Sequence, residues 1–364
     1  MKNTFGNSIS VTLFGESHGE EIGIVIDGIA PGVEINKEYI DKKLSLRRPA
    51  GKISTARQEL DNYRIVSGVF EGKTTGTPIC ILIPNEDKHS SDYSLMKNIA
   101  RPGHADFTAN EKYHGFQDYR GGGHFSGRLT APIVAAGAIA QSMLEKKNIH
   151  IGTHIKNIAG IEDDSFNPLN PEIDAVNDKY FAVLNEEKGK KMKDAIEEAA
   201  KNKNSVGGIL ETAITGIPTG LGEPWFDSVE SLLSHALFSI PAVKGIEFGK
   251  GFDFADMQGS EANDSFCVKD GKIQTSTNNN GGINGGITNG MPVLFKIAVK
   301  PTPSISIPQN TVDFAENKET VLELKGRHDP CIVHRARAVA DAVAALVICD
   351  MLSSHFGTDY FTEG

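Results

Sequence analysis

Two histidines in short glycine-flanked loops are the residues of this sequence best suited to proton transfer. One lies in Gly15-Glu16-Ser17-His18-Gly19, directly after a predicted strand, and the other in Arg101-Pro102-Gly103-His104-Ala105-Asp106. Histidine exchanges protons near neutral pH, and an arginine beside it can hold a phosphate oxygen while the imidazole protonates a leaving group. A lone histidine is more often structural, but the rigid loops and polar neighbours favour catalysis here.

An acidic residue near the end of the chain has two interpretations. Asp329 precedes Pro330, and Asp before Pro is a common start of a helix, in which the carboxylate caps the first turn. Asp329 also follows Arg327 and His328, a cationic setting that keeps a carboxylate ionised and able to accept a proton. The sequence leaves both roles open.

Glycines and basic residues cluster together. Thirty-eight of the 364 residues are glycine, well above the usual share of about 7%. The loop 120–128 is rich in glycine and leads into a helix predicted from Thr130, so its backbone N–H groups can approach a phosphate. Residues 41–60 and 325–337 are locally basic although the net charge is −10. Positive loops on a negative protein predict a small anionic ligand.

Composition excludes several classes of protein. An acidic chain lacks the cationic footprint of a nucleic-acid binder, and its most apolar stretch, 131–144, is shorter than a bilayer span. Four cysteines lie far apart without a CxxC pair, which predicts neither a disulfide framework nor a metal site and is typical of a reducing compartment. The N-terminus has no apolar core of signal-peptide length. We therefore expect a cytoplasmic protein without nucleic-acid or membrane partners.

The predicted elements favour an α+β fold. Strands dominate the first third, whereas amphipathic or alanine-rich helices are predicted after Thr130, after Asp227, over 190–201 and from Asp329 onwards. The order lacks the regular βαβ alternation of a doubly wound sheet. No linker interrupts the chain, so we expect one domain over residues 1–364.

Five ordered segments give the chain a resemblance to a known family. The loop around His18 continues through Gly23, Gly28, Pro31 and Gly32 at the spacing of the first signature of chorismate synthase. Four further segments match in the same order: 101–106, 118–123, 300–302 and 327–330. The chain therefore resembles the chorismate synthases from about residue 5 to residue 350.

The resemblance implies a reaction and a cofactor. Chorismate synthases remove phosphate and a proton from 5-enolpyruvylshikimate 3-phosphate by 1,4-elimination in the shikimate pathway, and they need reduced FMN without net redox change. By family position, His104 would protonate the departing phosphate and His18 would protonate and steady the reduced flavin. Asp329 would help to remove the ring proton.

The resemblance also implies binding residues. The substrate would be lined by Arg47, Arg48 and Lys52. The residues that would contact FMN are His124, Phe125, Ser126, Arg128, Pro241, Ala242, Gly285, Lys300, Pro301, Thr302, Pro303, Ser304 and Arg327. Several depart from the commonest family residues: His124 and Phe125 replace Arg and Ser, Pro241 replaces Asn, Pro303 replaces Ser and Lys52 replaces Arg.

The implied architecture is a layered α+β sandwich with helices between two antiparallel sheets, assembled as a homotetramer. Some members reduce their own flavin with NADPH, but this chain lacks the long insertions associated with that form, which favours an outside reductant. The alternative is a nucleotide- or RNA-binding module that uses the Arg/Gly loops without catalysis. Its support is the RGG-like stretch 120–123, a single copy in an acidic protein.

Overall fold

The computed structural model describes residues 2–51, 53–54, 60–86, 97–324 and 328–362. Within these ranges the strands are β1 (Thr4–Phe5), β2 (Ser10–Gly15), β3 (Glu21–Asp27), β4 (Arg64–Ser67), β5 (Val69–Phe70), β6 (Lys73–Thr74), β7 (Ile79–Pro84), β8 (His150–Ile158), β9 (Ile161–Glu162), β10 (Gly208–Thr215), β11 (Val243–Phe248), β12 (Phe266–Lys269), β13 (Lys272–Thr275), β14 (Ile283–Asn284), β15 (Ile287–Thr288), β16 (Val293–Val299), β17 (Gln309–Asp313) and β18 (Lys318–Leu322). The helices are α1 (Lys37–Arg47), α2 (Asp106–Tyr113), α3 (Thr130–Lys146), α4 (Asp174–Asn177), α5 (Glu186–Lys201), α6 (Val229–Leu237), α7 (Gly259–Ala262) and α8 (Val333–Phe356).

Two antiparallel sheets form the outer layers. The first has the strand order β1-β2-β3-β7-β4, and the second has the order β11-β16-β10-β8-β9. Alternation along β3 buries Ile22, Ile24 and Ile26, and the paired strand β7 buries Ile79 and Ile81 in the same way. Side chains of a strand alternate between its two faces, so these isoleucines form one apolar face.

Helices α3 and α8 fill the space between the sheets. Helix α3 contacts β3 and β7, whereas α8 contacts β8 and β10, and the two helices contact each other along their length. Gly137 lets them pack closely, because a Cβ there would lie 2.3 Å from Cβ of Ala342. Helix α8 is buried over most of its length, as expected for a helix that is apolar on nearly all sides. The predicted layered α+β sandwich is confirmed.

Two helix starts differ from the sequence prediction. Helix α8 begins at Val333 with Ile332 as N-cap, so Asp329 lies outside the helix and the interpretation as its cap is wrong. Helix α6 is capped by Ser228, whose Oγ accepts from the Ser231 N–H, rather than by Asp227. Neighbouring cap-forming residues compete, and the chain direction set by tertiary packing selects one of them. No helix in the described ranges is long and apolar enough to cross a bilayer.

A buried charged triad joins the second sheet to the chain before α5. His154 of β8 has its Nε2 2.7 Å from Glu211 Oε2 on β10 and its Nδ1 3.2 Å from Asp163 Oδ2. Asp163 also accepts the backbone N–H groups of Leu184 and Asn185. Burial disfavours the charged imidazole, but the hydrogen bonds to Asp163 and Glu211 outweigh it and raise the pKa of His154.

The triad predicts a pH dependence of stability. Because the folded-state pKa of His154 is raised, its protonation stabilises the folded state. That contribution to the free energy of unfolding is complete below the unfolded pKa near 6.5 and is lost as pH rises through the folded pKa. We expect His154→Gln to lower the free energy of unfolding by about 3 kcal/mol or more below pH 6.5, because two buried carboxylates lose their cation. The loss should be smaller at alkaline pH. Urea unfolding of parent and variant from pH 6 to 9 measures the difference. The exposed His150→Gln is the matched control, and an equal cost at every pH would contradict the prediction.

Candidate active site

A run of three glycines brings the two predicted catalytic histidines to one place. Gly121, Gly122 and Gly123 have φ values of 58°, 86° and 53°, the left-handed region that favours glycine. A Cβ on Gly121 would lie 2.2 Å from Cε1 of His18, and one on Gly122 would lie 3.3 Å from Cε1 and Nε2 of His104. The glycine loop therefore packs against both imidazoles, and a side chain at Gly121 would displace His18.

His18 follows the end of β2 and is 5% exposed. Its Nδ1 lies 3.2 Å from Ser17 Oγ, whose hydroxyl donates to the carbonyl of Arg120 at 3.2 Å. A hydroxyl has one proton to donate, so Ser17 Oγ accepts from Nδ1–H of His18. The backbone N–H of Ser17 bonds to the carbonyl of Gly123 and fixes the loop against the glycines. These contacts orient the ring.

His104 belongs to a charged group with Arg101 and Asp106. Asp106 Oδ2 accepts from Nε of Arg101 at 2.8 Å, and Oδ1 accepts from its Nη2 at 2.7 Å and lies 2.9 Å from Nδ1 of His104. Burial favours the neutral carboxyl, but hydrogen bonds from Arg101 and His104 dominate and hold the pKa of Asp106 well below its usual range. Arg101, predicted to hold a phosphate oxygen, instead forms a two-pronged pair with Asp106 and donates through Nη1 to Ser304 Oγ.

The segment from Lys300 to Ser304 packs on the loop of His104. Lys300 Nζ donates to the carbonyl of Gly103, and its backbone N–H donates to the carbonyl of Ala242 at 2.9 Å. Pro303 also lies against Gly103, and Pro301 follows Lys300 on the exposed side. Thr302 Oγ1 is buried, and no described residue offers it a hydrogen bond. The predicted cofactor segments 241–242 and 300–304 thus meet beside His104.

A second cluster gathers three arginines on one carboxylate. Asp61, whose side chain is fully buried, accepts from Nε and Nη2 of Arg47 at 3.3 and 3.1 Å. Arg128 Nη1 donates to the same carboxylate, and Nε of Arg48 lies 3.8 Å from it. Arg47 also donates to Thr130 Oγ1 at 3.4 Å. Arg48 is the most exposed of the three, which makes it the member best placed to meet a ligand.

Asp329 lies beside this cluster through Arg335. Its carboxylate accepts from Nη1 of Arg335 at 2.8 Å, and Nε of the same arginine donates to the backbone carbonyl of Arg47 at 2.8 Å. Both side chains are largely buried, with exposed fractions of 14% for Arg335 and 18% for Asp329. Arg335 therefore fixes Asp329 relative to the arginine cluster, a contact that the sequence prediction assigned to the neighbours at 327 and 328.

The predicted flavin residues after the glycines are partly engaged within the chain. His124 Nδ1 contacts the carbonyl of Gly15 at 2.8 Å, and Ser126 Oγ accepts the backbone N–H of Arg128. Besides its bond to Asp61, Arg128 donates to Asn85 Oδ1 at 3.0 Å and to the backbone carbonyl of Pro84 at 3.1 Å. All three side-chain nitrogens of Arg128 thus donate to protein acceptors. Phe125, in contrast, leaves its ring 37% exposed.

The remaining predicted residues are in turns or outside the described ranges. Gly285 stands in an exposed turn between β14 and β15, and its neighbour Gly286 contacts the start of α6. Pro241 precedes Ala242, which has a φ of 75°. Lys52 and Arg327 lie outside the described residues.

Three site residues carry no assigned role in the sequence prediction. Asp106 stands two positions after His104, and that short spacing could have predicted their contact. No local pattern predicts the contacts of Asp61 and Arg335, because Asp61 and Arg335 bond to residues from other segments of the chain. Together with the two histidines they form, in this layered α+β fold, a group of acidic, basic and imidazole side chains that is typical of an enzyme acting on a small anion.

Comparison with known proteins identifies the family. The sequence model of chorismate synthase matches residues 9–353. The chorismate synthase of Pyrococcus abyssi is 49% identical over 356 residues, covering 95% of this chain and 96% of the relative. That of Cytophaga hutchinsonii is 44% identical, covering 96% of this chain and 97% of the relative. A solved crystal structure of chorismate synthase has a TM-score of 0.77 at 29% identity, covering 97% of this chain and 94% of the other.

The chain belongs to the chorismate synthase family. It is accordingly a lyase of the shikimate pathway, which serves aromatic amino acid biosynthesis. The predicted family, fold class and enzyme type are confirmed. The alternative of a nucleotide- or RNA-binding module finds no support in these comparisons.

Proposed function

We propose that this enzyme converts 5-enolpyruvylshikimate 3-phosphate to chorismate and phosphate by 1,4-elimination, with reduced FMN as cofactor. The observation that carries the proposal is the packing of His18 and His104 against one glycine loop. Elimination of phosphate needs a proton donor at the leaving group, and the flavin needs a second donor nearby. Family membership and the cationic side chains of Arg101 near Gly122 and Lys300 near Gly103 support an anionic substrate.

The residues beside His104 fit a phosphate-bearing flavin. Thr302 presents a buried hydroxyl oxygen that no described residue bonds, and Lys300 supplies an ammonium group next to Gly103. Phe125 offers a partly exposed aromatic ring. When bound, reduced FMN supplies electron density to the substrate transiently and recovers it, so the reaction has no net redox change. The residues proposed to hold it are His124, Phe125, Ser126, Arg128, Pro241, Ala242, Gly285, Lys300, Pro301, Thr302, Pro303, Ser304 and Arg327.

Each chemical step has a proposed protein group. The bond between the ring carbon and the phosphate oxygen breaks, and Nε2 of His104 donates its proton to that oxygen. His18 would steady the reduced flavin and hold a proton at Nε2 for it. Asp329, held by Arg335, takes part in removing the ring proton.

The substrate is bound by arginines in this proposal. Arg48 contacts it directly, whereas Arg47 acts by holding Asp61 and the loop that follows α1. Lys52 is the third proposed member of this group. An arginine fork binds phosphate or carboxylate at two points and so fixes the orientation of a charged substrate.

The test is an anaerobic turnover assay with the phosphorylated substrate. We expect phosphate release and chorismate formation with reduced FMN, no product with oxidised FMN alone, and no consumption of reduced flavin over many turnovers. The dephosphorylated substrate is the matched control, because it lacks the leaving group. Equal turnover without any flavin would overturn the cofactor, and absence of turnover with reduced FMN would overturn the reaction.

The same proposal covers the setting of the enzyme. We treat residues 1–364 as one domain of a cytoplasmic homotetramer whose flavin is reduced by an outside partner rather than by NADPH on the enzyme itself. Exposed aromatic rings support assembly: Trp225, Phe226 and Phe252 are 84%, 89% and 82% exposed. Apolar surface of this kind is typical of subunit contacts. Light scattering on the purified protein measures the mass of the assembly, and a monomer would contradict it.

A further inference from the structure

One carboxylate organises the whole loop that carries His104. Asp106, the first residue of α2, accepts from the backbone N–H of Arg101 at 2.9 Å as well as from its Nε and Nη2. The same carboxylate lies 2.9 Å from Nδ1 of His104, and its side chain is 6% exposed. The guanidinium and the backbone N–H of Arg101 hold it, so it is a fixed reference point for the imidazole.

The geometry around Nδ1 of His104 allows two arrangements of protons. Arg101 Nη2 lies 3.0 Å from that nitrogen, and Oδ1 of Asp106 lies 2.9 Å from it. If Arg101 donated to Nδ1, that nitrogen would carry no proton and the ring could not be an imidazolium, in which both nitrogens are donors. Arg101 Nη2 carries two N–H groups, so its 2.7 Å bond to Asp106 leaves one that can point towards Nδ1. A bare Nδ1, however, would place its lone pair 2.9 Å from an oxygen of the ionised carboxylate, whereas a proton on Nδ1 turns that contact into a charge-assisted hydrogen bond. The proton therefore belongs on Nδ1, pointing at Asp106.

We infer that Asp106 is a positioning residue that keeps a proton on Nδ1 of His104, so that Nε2 is the atom that exchanges a proton with the leaving phosphate. Nε2 faces Gly122, on the glycine loop shared with His18. The kinetic part of this inference rests on the proposed function, whereas the proton position does not. Asp106 itself contacts neither substrate nor cofactor in this role, and it acts through His104 and Arg101.

The proton position is measurable in the enzyme alone. In protein labelled with ¹⁵N-histidine, above the pH at which the ring loses its charge, we expect His104 to show a protonated Nδ1 and a bare Nε2. The signal is assigned by its loss in His104→Gln. A bare Nδ1 in the parent enzyme would overturn the inference, whatever any variant does.

The kinetic test replaces the carboxylate by its amide. In Asp106→Asn the amide can donate to Nδ1, which moves the proton of the neutral ring to Nε2 and opposes the imidazolium. The same exchange beside the histidine of a serine protease lowers kcat by about 10⁴. We expect kcat to fall at least about a hundredfold with KM within about threefold, together with a tautomer change in the ¹⁵N spectrum. Glu111→Gln, an exposed carboxylate on the same helix, is the matched control.

The outcomes separate this inference from the proposed function. An Asp106→Asn variant that keeps the parent rate and tautomer would overturn the inference while the parent still turns over substrate. A parent enzyme that is inactive with reduced FMN would overturn the proposed function, and the ¹⁵N measurement would still decide the proton position. If Asp106→Asn does not fold, as thermal unfolding would reveal, the parent spectrum alone decides.

Discussion

Replacing His104 by glutamine is expected to lower kcat by at least about a hundredfold, typical of the loss of a positioned general acid. Glutamine has a similar reach but cannot deliver a proton to the departing phosphate oxygen. Its amide can still bond to Asp106, so the Arg101 loop and substrate binding should change little. Anaerobic single-turnover phosphate release with reduced FMN measures the chemical step, and KM reports binding.

The exposed His150→Gln serves as the control for this prediction, since it removes an imidazole at the start of β8 in the second sheet. A second variant, His18→Gln, tests the other histidine, which packs against Gly121 of the same glycine loop. Near-parent rates in both site variants would show that the histidines only hold the loops together, and the proposed proton transfers would then be wrong.

Replacing Asp329 by asparagine is expected to lower turnover by at least about two orders of magnitude, because an amide cannot act as a base. The structure sharpens this test, since α8 begins four residues later and Asp329 does not cap it. Asparagine can still accept a hydrogen bond from Arg335, so the variant should keep the bridge from Arg335 to the carbonyl of Arg47. Pre-steady-state kinetics with isotopically labelled substrate would place the loss in the proton-removal step.

Thermal unfolding is the control measurement for Asp329→Asn, with a shift of only a few degrees expected for a partly buried ion pair that becomes a neutral hydrogen bond. Asp164→Asn is a matched variant, because Asp164 pairs with Lys188 at the surface away from the site. An Asp329→Asn enzyme that turns over at the parent rate would assign this carboxylate to holding Arg335 alone.

The histidine loops show that backbone conformation in tight turns can be predicted from local sequence. Glycines flanking His18 and preceding His104 predict tight, constrained turns, and the three glycines at 121–123 predict backbone that no other residue adopts easily. The structure has those loops and packs the glycines against the imidazoles. The information is local, because a positive φ depends on the residue itself and its immediate neighbours.

The ends of helices show where local sequence is ambiguous. Asp329-Pro330 and Asp227-Ser228 both carry good capping residues, yet α8 starts at Val333 and α6 is capped by Ser228. Capping free energies differ by about 1 kcal/mol or less among such residues, so packing of the helix against its neighbours decides the start.

The sequence by itself determined the family, the α+β class and the two histidine loops, because motif spacing and residue type are properties of short segments. Only the tertiary structure decided which charged groups share a partner. Asp61 meets Arg47 and Arg128 because α1, the loop before β4 and the start of α3 converge. Arg335 reaches Asp329 and the carbonyl of Arg47 from the first turn of α8. A buried charge needs a partner, but any of the many opposite charges in the chain satisfies that rule, so the pairing follows from the packing of the layers.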